Sequence, residues 1–120
     1  MKSYKDLVAY QKGYKLALEI YQGTRNYPKE EIYGLVSQMR RSAVSIPCNI
    51  AEGYRRGHRK EYIHFLHIAL GSCSELETLL SLSRDLKFID ENRSRKLYEL
   101  QEEMSRLLAG LIAALSKTKR

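Results

Sequence analysis

The stretch QMRRSAVSIPCNIAEGYRRGHRK, Gln38 to Lys60, decides the fold because it is helical in pattern, has a proline near its centre and carries arginine pairs at both ends. Ile46 and Ile50 continue an apolar helical repeat past Pro47. A proline removes one backbone donor, and its ring clashes with the carbonyl four residues earlier, here on Ala43. Because the repeat continues, the stretch predicts a helix that is kinked at the proline but not ended by it.

The outer side of this helix is also apolar or small. At 100° per residue, Val44, Cys48 and Ala51 point away from the stripe that contains Ile46. A helix that is apolar on all sides is normally buried on all sides, and a four-helix monomer cannot cover the back of its own helix. The sequence therefore predicts self-association through an interface made of Val44, Ser45, Cys48 and Ala51. The alternative is a mildly apolar surface that faces solvent.

Three further helical stripes flank this one, and the chain shows no strand alternation or internal repeat. The four predicted stripes are Leu7, Tyr10, Tyr14, Ala17 and Tyr21; Ile32, Leu35, Met39, Ala43, Ile46 and Ile50; Tyr62, Leu66, Ala69, Cys73, Leu76 and Leu80; and Leu97, Leu100, Met104, Leu107, Leu111 and Leu115. We predict an all-α fold in one domain over residues 1–120. It is an antiparallel up-down-up-down bundle of four helices of about 20–30 residues, joined by short loops, with a proline-kinked second helix.

Local signals support the order of these helices. A hairpin that turns near Gly57 places Val44–Pro47 opposite Ala69–Gly71, where small residues leave room for a bend. Asp90 is a predicted N-cap of the fourth helix. Glu52 is predicted to form an ion pair with Arg55 or Arg56, one helical turn away.

The composition indicates a globular protein: 43% of the 120 residues are hydrophobic and 29% are charged. The beginning of the chain is too polar for a secretory signal, and the longest apolar run, Leu107–Leu115, is too short to span a bilayer. We therefore expect a soluble, cytoplasmic protein with no membrane partner. In that setting Cys48 and Cys73 are expected to be reduced, buried thiols.

The net charge of +7 lies entirely in the first half of the chain. Residues 1–60 contain 12 Lys or Arg against 5 Asp or Glu, whereas residues 61–120 contain 9 of each. Much of the excess comes from Arg40, Arg41, Arg55, Arg56, Arg59 and Lys60. A concentrated basic region favours an anionic partner, either nucleic acid or an acidic protein surface, and a solvated face without a partner is the third possibility.

No catalytic constellation is recognisable in the sequence. Glu61 and His64 have the spacing used by di-metal bundles, and His67 continues that face, but no second copy of the motif exists. Neither cysteine has a histidine at a fixed local spacing, and no phosphate-cradling glycine loop is present. We expect no enzymatic activity, no metal and no cofactor.

Three segments of the chain resemble a known protein family. DLVAYQKGYKLALEIY, YPKEEIYGLVSQMRRSAVSIPCNIAEGYRR and KEYIHFLHIALGSCSELETLL are similar to the bacterial four-helix-bundle proteins encoded in intervening sequences of large-subunit ribosomal RNA genes. They are also similar to the accessory variability determinant of diversity-generating retroelements. The run Ser45 to Gly53 is specific to the family, with Cys48 in place of an expected serine. The resemblance implies a ring-like homo-oligomer, a pentamer, without established enzymatic activity. The retroelement relative implies binding to nucleic acid and to a nucleic-acid-processing protein, a reverse transcriptase.

Two functional hypotheses follow. The first is an oligomer that binds RNA or single-stranded DNA through the basic residues, with little sequence specificity and strong salt dependence. Tyr54 and Tyr62 flank those residues and could stack on unpaired bases, although we favour the interpretation that they fill the end of the bundle with their hydroxyls in water. The second hypothesis is a scaffold or adaptor that docks an acidic protein.

Overall fold

The structure is a computed structural model that describes residues 3–117, and over this range it contains four α-helices and no strand. The helices are α1 (Val8–Gly23), α2 (Ser37–Arg55), α3 (Arg59–Asp85) and α4 (Glu91–Lys117). Short helical turns at Tyr4–Asp6 and Lys29–Glu31 precede α1 and α2. The all-α prediction is confirmed, and α1 and α2 are shorter than predicted.

Cross-helix contacts show that neighbouring helices run antiparallel. Lys12 and Glu19 of α1 pair with Glu103 and Lys96 of α4, at 2.9 and 3.6 Å. The Ser72 hydroxyl on α3 donates to the Ser45 hydroxyl on α2 at 2.8 Å, one residue beyond the predicted span Ala69–Gly71. The result is an elongated bundle of 50 × 20 × 20 Å in which each helix packs on its neighbours in sequence and α4 closes against α1. No helix within residues 3–117 is both long and apolar enough to cross a membrane.

The second helix is continuous from Ser37 to Arg55 and includes Pro47, so the kink at Pro47 stays a prediction. The structure places a distortion earlier. A π-helical turn, Ile32–Val36, leads into α2, and Gly34 within it has non-helical angles of φ −112° and ψ −107°. This distortion explains why regular α2 begins only at Ser37. Tyr33, within the same turn, is 95% exposed.

Turn residues fit the local geometry of the connections. Gly57 has φ +76° between α2 and α3, a conformation that suits a residue without a side chain. Asp90 Oδ1 accepts from the Arg93 backbone N–H at 2.8 Å, which confirms it as the N-cap of α4.

The core confirms the predicted stripes of α2 and α3 and corrects those of α1 and α4. Met39, Ala43, Ile46 and Ile50 are fully buried, and Ile32 is 49% exposed. On α1 the buried residues are Ala9, Gly13, Leu16, Ala17 and Ile20, whereas Tyr14 and Tyr21 lie on the surface. On α4 they are Ser94, Leu97, Gln101, Met104, Leu108 and Ile112, whereas Leu107, Leu111 and Leu115 are half-buried.

Candidate nucleic-acid interface

The six predicted basic residues form two clusters and not one. Arg40 and Arg41 lie in the first turns of α2. Arg55 and Arg56 lie at its end, and Arg59 and Lys60 begin α3 directly after the turn at Gly57. With a rise of about 1.5 Å per residue, Arg41 and Arg55 are about 21 Å apart along the helix. A single compact phosphate site therefore cannot use both clusters.

Arg40 is already engaged by the end of α1. Its Nε donates to Thr24 Oγ1 at 3.0 Å, and its Nη2 donates to the Tyr21 carbonyl at 3.3 Å. The guanidinium also lies 4.6 Å from the centre of the Tyr21 ring. A cation at a helix C-terminus satisfies free carbonyls and the helix dipole. Arg40 thus joins α2 to α1, and its neighbour Arg41 is exposed, with one long contact of 3.4 Å to Ser37 Oγ.

The second cluster lies at the opposite end of the bundle, where aromatic rings hold two of its arginines. Arg55 lies 5.7 Å from the Tyr4 ring centre, and Arg56 lies 4.9 Å from that of Phe65. Arg56 Nε also pairs with Glu52 at 2.8 Å, as predicted from their spacing. Its Nη1 lies 3.9 Å from Glu61. Part of the Arg56 charge is therefore balanced within the chain.

Arg59 and Lys60 extend this cluster toward the end of α4. Arg59 Nη1 donates to the Leu115 carbonyl at 3.1 Å, which ties the beginning of α3 to the last turn of α4. Lys60 is exposed and has no ion pair or hydrogen bond from its ammonium group to any residue between 3 and 117. Lys117 stands in the last turn of α4 and adds charge at the same end. We call Arg55, Arg56, Arg59 and Lys60 the basic end.

The two tyrosines beside the basic end pack on each other. The rings of Tyr54 and Tyr62 lie edge to face with centres 5.8 Å apart, and both residues are half-buried. The Tyr62 hydroxyl is buried without a hydrogen-bond partner among the described residues, so the expectation that it reaches water is wrong. Burial, with a smaller contribution from Tyr54, raises the pKa of Tyr62 above its usual value. Both rings fill the bundle end, the interpretation that we favoured.

The predicted interface residues border a groove on the outside of α1 and α2. The groove has a volume of about 610 Å³, and Val44, Cys48 and Ala51 form its α2 side. The α1 side consists of tyrosines and Leu18, which is 53% exposed. Cys48 is exposed, so the expectation of two buried thiols holds only for Cys73. Ser45 differs from the other three because its hydroxyl accepts from Ser72 and Asn49 within the bundle.

The sequence did not predict the α1 side of this groove, because the predicted core stripe of α1 included its tyrosines. Tyr10, Tyr14 and Tyr21 do share one helical face, but that face lies outside the bundle, beside α2. The signal that could have found it is the competing stripe of small and aliphatic residues, from Ala9 to Ile20, at the same helical spacing. Small residues allow helices to approach closely, whereas tyrosine rings suit a half-exposed surface.

Glu61, His64 and His67 are all exposed on α3. Between residues 3 and 117, no three carboxylate, imidazole or thiol groups come together in a way that could hold a metal ion. Cys73 is fully buried, and burial raises its pKa to about 11, which leaves it a neutral thiol at ordinary pH.

Comparison with known proteins identifies the fold and the family. The chain is similar to a crystal structure of a protein with unknown function from the S23 ribosomal protein family of Bacteroides thetaiotaomicron, with a TM-score of 0.81 and 26% sequence identity. The match covers 88% of this chain and 96% of the other. No curated protein matches the sequence. The similarity to the retroelement determinant stays a prediction.

The sequence model of a family described as 23S rRNA-intervening sequence protein matches residues 5–110. That range includes all four helices except the last turns of α4, together with the whole of the basic end and most of the groove. The chain therefore belongs to the 23S rRNA-intervening sequence protein family.

Proposed function

We propose that the protein is a non-enzymatic, ring-like homo-oligomer, a pentamer, that binds RNA or single-stranded DNA through its basic end. The observation that carries the proposal is the placement of Arg55, Arg56, Arg59 and Lys60 together at one end of the bundle, all exposed to solvent. Contacts of guanidinium and ammonium groups with phosphates fix the position of a strand and carry no sequence information. Binding is therefore expected to depend little on sequence and strongly on salt.

The geometry limits which residues take part. Arg40 is held at the end of α1, and Arg41 stands about 21 Å from Arg55, so we assign the phosphate contacts to the basic end alone. Tyr54 and Tyr62 are packed against each other and are not assigned to base stacking. Lys117 lies in the last turn of α4, where Arg59 is bound, and extends the positive surface.

Self-association supports the same function because it repeats the basic end once per subunit. The exposed apolar groove between α1 and α2 is the surface that favours association. Several copies of a weak phosphate site on one assembly bind a long strand much more tightly than one copy does.

Fluorescence anisotropy with a labelled single-stranded RNA, a single-stranded DNA and a DNA duplex, measured from 50 to 300 mM salt, tests this proposal. We expect binding to all three probes, and a steep decline in affinity as salt rises. The double variant Arg59→Gln and Lys60→Gln should weaken binding and lower the salt slope by about 0.7–0.9 for each phosphate that is no longer neutralised. The matched control is Arg25→Gln with Arg95→Gln, two exposed arginines at the other end of the bundle.

Absence of binding at 50 mM salt would overturn the nucleic-acid proposal. An equal decline in affinity in the control pair would show that net charge matters and the basic end does not. Light scattering on the wild-type protein across concentrations tests the oligomer separately. A protein that assembles but binds no nucleic acid supports the alternative, a scaffold that docks an acidic protein through the same residues.

A further inference from the structure

A polar cleft lies between α3 and α4, near the turn that joins them and away from the basic end. The Tyr98 hydroxyl on α4 donates to Glu77 Oε2 on α3 at 3.0 Å and fixes the register of the two helices there. Ser81 and Ser94 follow on the same helical faces, one turn from this pair, and so lie across the cleft from each other. The cleft has a volume of about 210 Å³ and is lined by Leu80, Ser81, Arg84, Glu91, Ser94, Arg95 and Tyr98. We call it the α3/α4 cleft.

Two serine hydroxyls in the α3/α4 cleft have no hydrogen-bond partner among residues 3–117. A helical hydroxyl commonly donates to the carbonyl four residues earlier, as Ser83 Oγ does to the Leu79 carbonyl at 3.0 Å. Ser81 and Ser94 make no such bond. Ser94 is only 7% exposed, and a buried hydroxyl without a partner costs free energy. Its hydroxyl is therefore available to a polar group that enters the cleft.

Two arginines border the same cleft with unused donors. Arg84 Nε donates to Asp85 Oδ1 at 3.0 Å, and its terminal nitrogens donate no hydrogen bond to any residue between 3 and 117. Arg95 Nη1 has one long contact of 3.3 Å to Asn92 Oδ1, and its other N–H groups are unused over the same range. The cleft therefore brings together two guanidinium groups and two hydroxyls, which are more donors than its own acceptors occupy.

This set of donors fits a tetrahedral oxyanion. A carboxylate offers two oxygens, whereas phosphate and sulfate each offer four and can accept from guanidinium and hydroxyl groups at the same time. The volume of the cleft is below the roughly 300 Å³ at which pockets for drug-sized ligands begin, which favours a small ion over a nucleotide.

Glu91 distinguishes between the two tetrahedral anions. It is the acidic residue among those that line the cleft, and its carboxylate accepts hydrogen bonds but donates none. Hydrogen phosphate keeps a proton on one oxygen at neutral pH and can donate it to this carboxylate. Sulfate has no proton to donate, so the same carboxylate repels it.

We propose that the α3/α4 cleft binds inorganic phosphate as hydrogen phosphate, with Arg84, Arg95 and Ser94 as donors and Glu91 as the acceptor of its proton. This site goes beyond the proposed function, because the cleft and the basic end lie at opposite ends of the bundle. An internal phosphate of a strand is esterified twice and has no proton for Glu91. Nucleic acid bound at the basic end therefore does not occupy the cleft.

Isothermal titration calorimetry with sodium phosphate and with sodium sulfate, at constant ionic strength, tests this site. We expect one phosphate to bind per chain, and sulfate to bind at least about tenfold more weakly. Ser94→Ala and Arg95→Gln are each expected to weaken phosphate binding about tenfold, because each removes a donor to a charged group. Glu91→Gln should abolish the preference for phosphate, since a neutral amide can donate to sulfate. Circular dichroism verifies that each variant is folded.

Arg93→Gln is the matched control, because Arg93 is exposed on the same helix and does not line the cleft. We expect it to bind phosphate as the wild type does. Equal weakening in Arg93→Gln and Arg95→Gln would mean that only the net charge of α4 matters, which overturns the site. Absence of saturable binding at millimolar phosphate, or equal affinity for sulfate in the wild type, overturns it as well. Tighter binding of a 5′-phosphorylated dinucleotide than of inorganic phosphate would overturn the assignment to the free ion.

Discussion

Gly53 on α2 and Phe65 on α3 approach so closely that a β-carbon added to Gly53 would lie 2.6 Å from the Phe65 Cβ. The same atom would lie 3.2 and 3.3 Å from the ring and the carbonyl oxygen of Tyr62. The neighbour at 2.6 Å is attached directly to the α3 backbone and cannot rotate away. Gly53 therefore sets the distance between the two helices beside the basic end.

Gly53→Ala is expected to lower the free energy of unfolding by about 1–2 kcal/mol. The steric cost of overpacking, about 1–3 kcal/mol, exceeds the gain of up to about 1 kcal/mol from replacing glycine in a helix. Urea unfolding followed by circular dichroism measures it. Gly110→Ala is the control, because an added β-carbon there meets nothing within 4 Å, and it should stabilise α4 by about 0.5–1 kcal/mol. Equal stability of the two variants would contradict the close approach.

Arg40→Lys is expected to destabilise the fold by about 1–2 kcal/mol, although it keeps the positive charge. A lysine ammonium cannot reproduce the bonds to Thr24 Oγ1 and the Tyr21 carbonyl together with stacking on the Tyr21 ring. Arg41→Lys, next to it but exposed, should change stability by less than about 0.5 kcal/mol. Thermal and urea unfolding compare the two. Nucleic-acid affinity should remain unchanged in Arg40→Lys, and a large decrease there would mean that Arg40 contacts phosphate.

The difference between these adjacent arginines shows where sequence reasoning stops. Arg40 and Arg41 are neighbours in the same basic pair. Arg40 is held and Arg41 is exposed only because the C-terminus of α1 lies beside Arg40. The stripes of α2 and α3 were predictable because each of these helices has one clearly apolar face. In α1 two faces are apolar, and hydrophobicity alone cannot choose between them. Gly13 determines which face of α1 packs against α2. A β-carbon at this position would lie 3.2 Å from Ile46 Cγ2, so only the face with small residues can approach α2 so closely.

The register of α4 was hidden by polar residues in its core stripe. Gln101 is 2% exposed and lies between Leu97 and Leu108 on the buried face. An apolar pattern without this position leads to the neighbouring leucines at 107, 111 and 115.

The residues of the basic end could be predicted from the sequence, because they are close together in the chain. Their distance from Arg41 could not, because a count of charges does not measure distance along a helix.

Gln101→Met is expected to preserve or raise the free energy of unfolding, by up to about 1 kcal/mol. The Gln101 Nε2 donates to the Cys73 carbonyl at 3.0 Å and to Ser105 Oγ at 2.9 Å, but its Oε1 is buried without a partner among the described residues. Removing a group that is only partly satisfied removes its desolvation cost, and methionine has a similar volume. Urea unfolding tests this.

Gln101→Ala provides the comparison, because it leaves a cavity and should cost about 2 kcal/mol or more. If methionine destabilises the fold as much as alanine does, the hydrogen bonds of the amide outweigh its unpaired oxygen. Such a result would also assign to Gln101 a role in fixing the register of α3 against α4.

The buried Cys73 thiol makes the fold sensitive to alkaline pH. Burial raises its pKa from 9.0 to about 11. Between these values the unfolded chain has given up the proton while the native state keeps it, so the native state binds more protons and its stability falls as pH rises. The contribution is fully present below pH 9 and declines up to pH 11, by about 2–3 kcal/mol for a shift of two units.

Urea unfolding under reducing conditions at pH 8, 9, 10 and 11 measures this decline. Cys73→Ala lowers stability at pH 8 because it leaves a cavity, but the part of the alkaline decline that is due to the thiol should disappear, so the difference from the wild type should shrink as pH rises. Cys48→Ala should retain the full decline, since Cys48 is exposed in the groove. The pKa values of buried Tyr27 and half-buried Tyr62 are also raised from 10.0 by burial, so these tyrosines add a decline of their own above pH 10, in wild type and variant alike. A pH dependence that is identical in wild type and Cys73→Ala would show that burial does not raise the pKa of the Cys73 thiol in the native state.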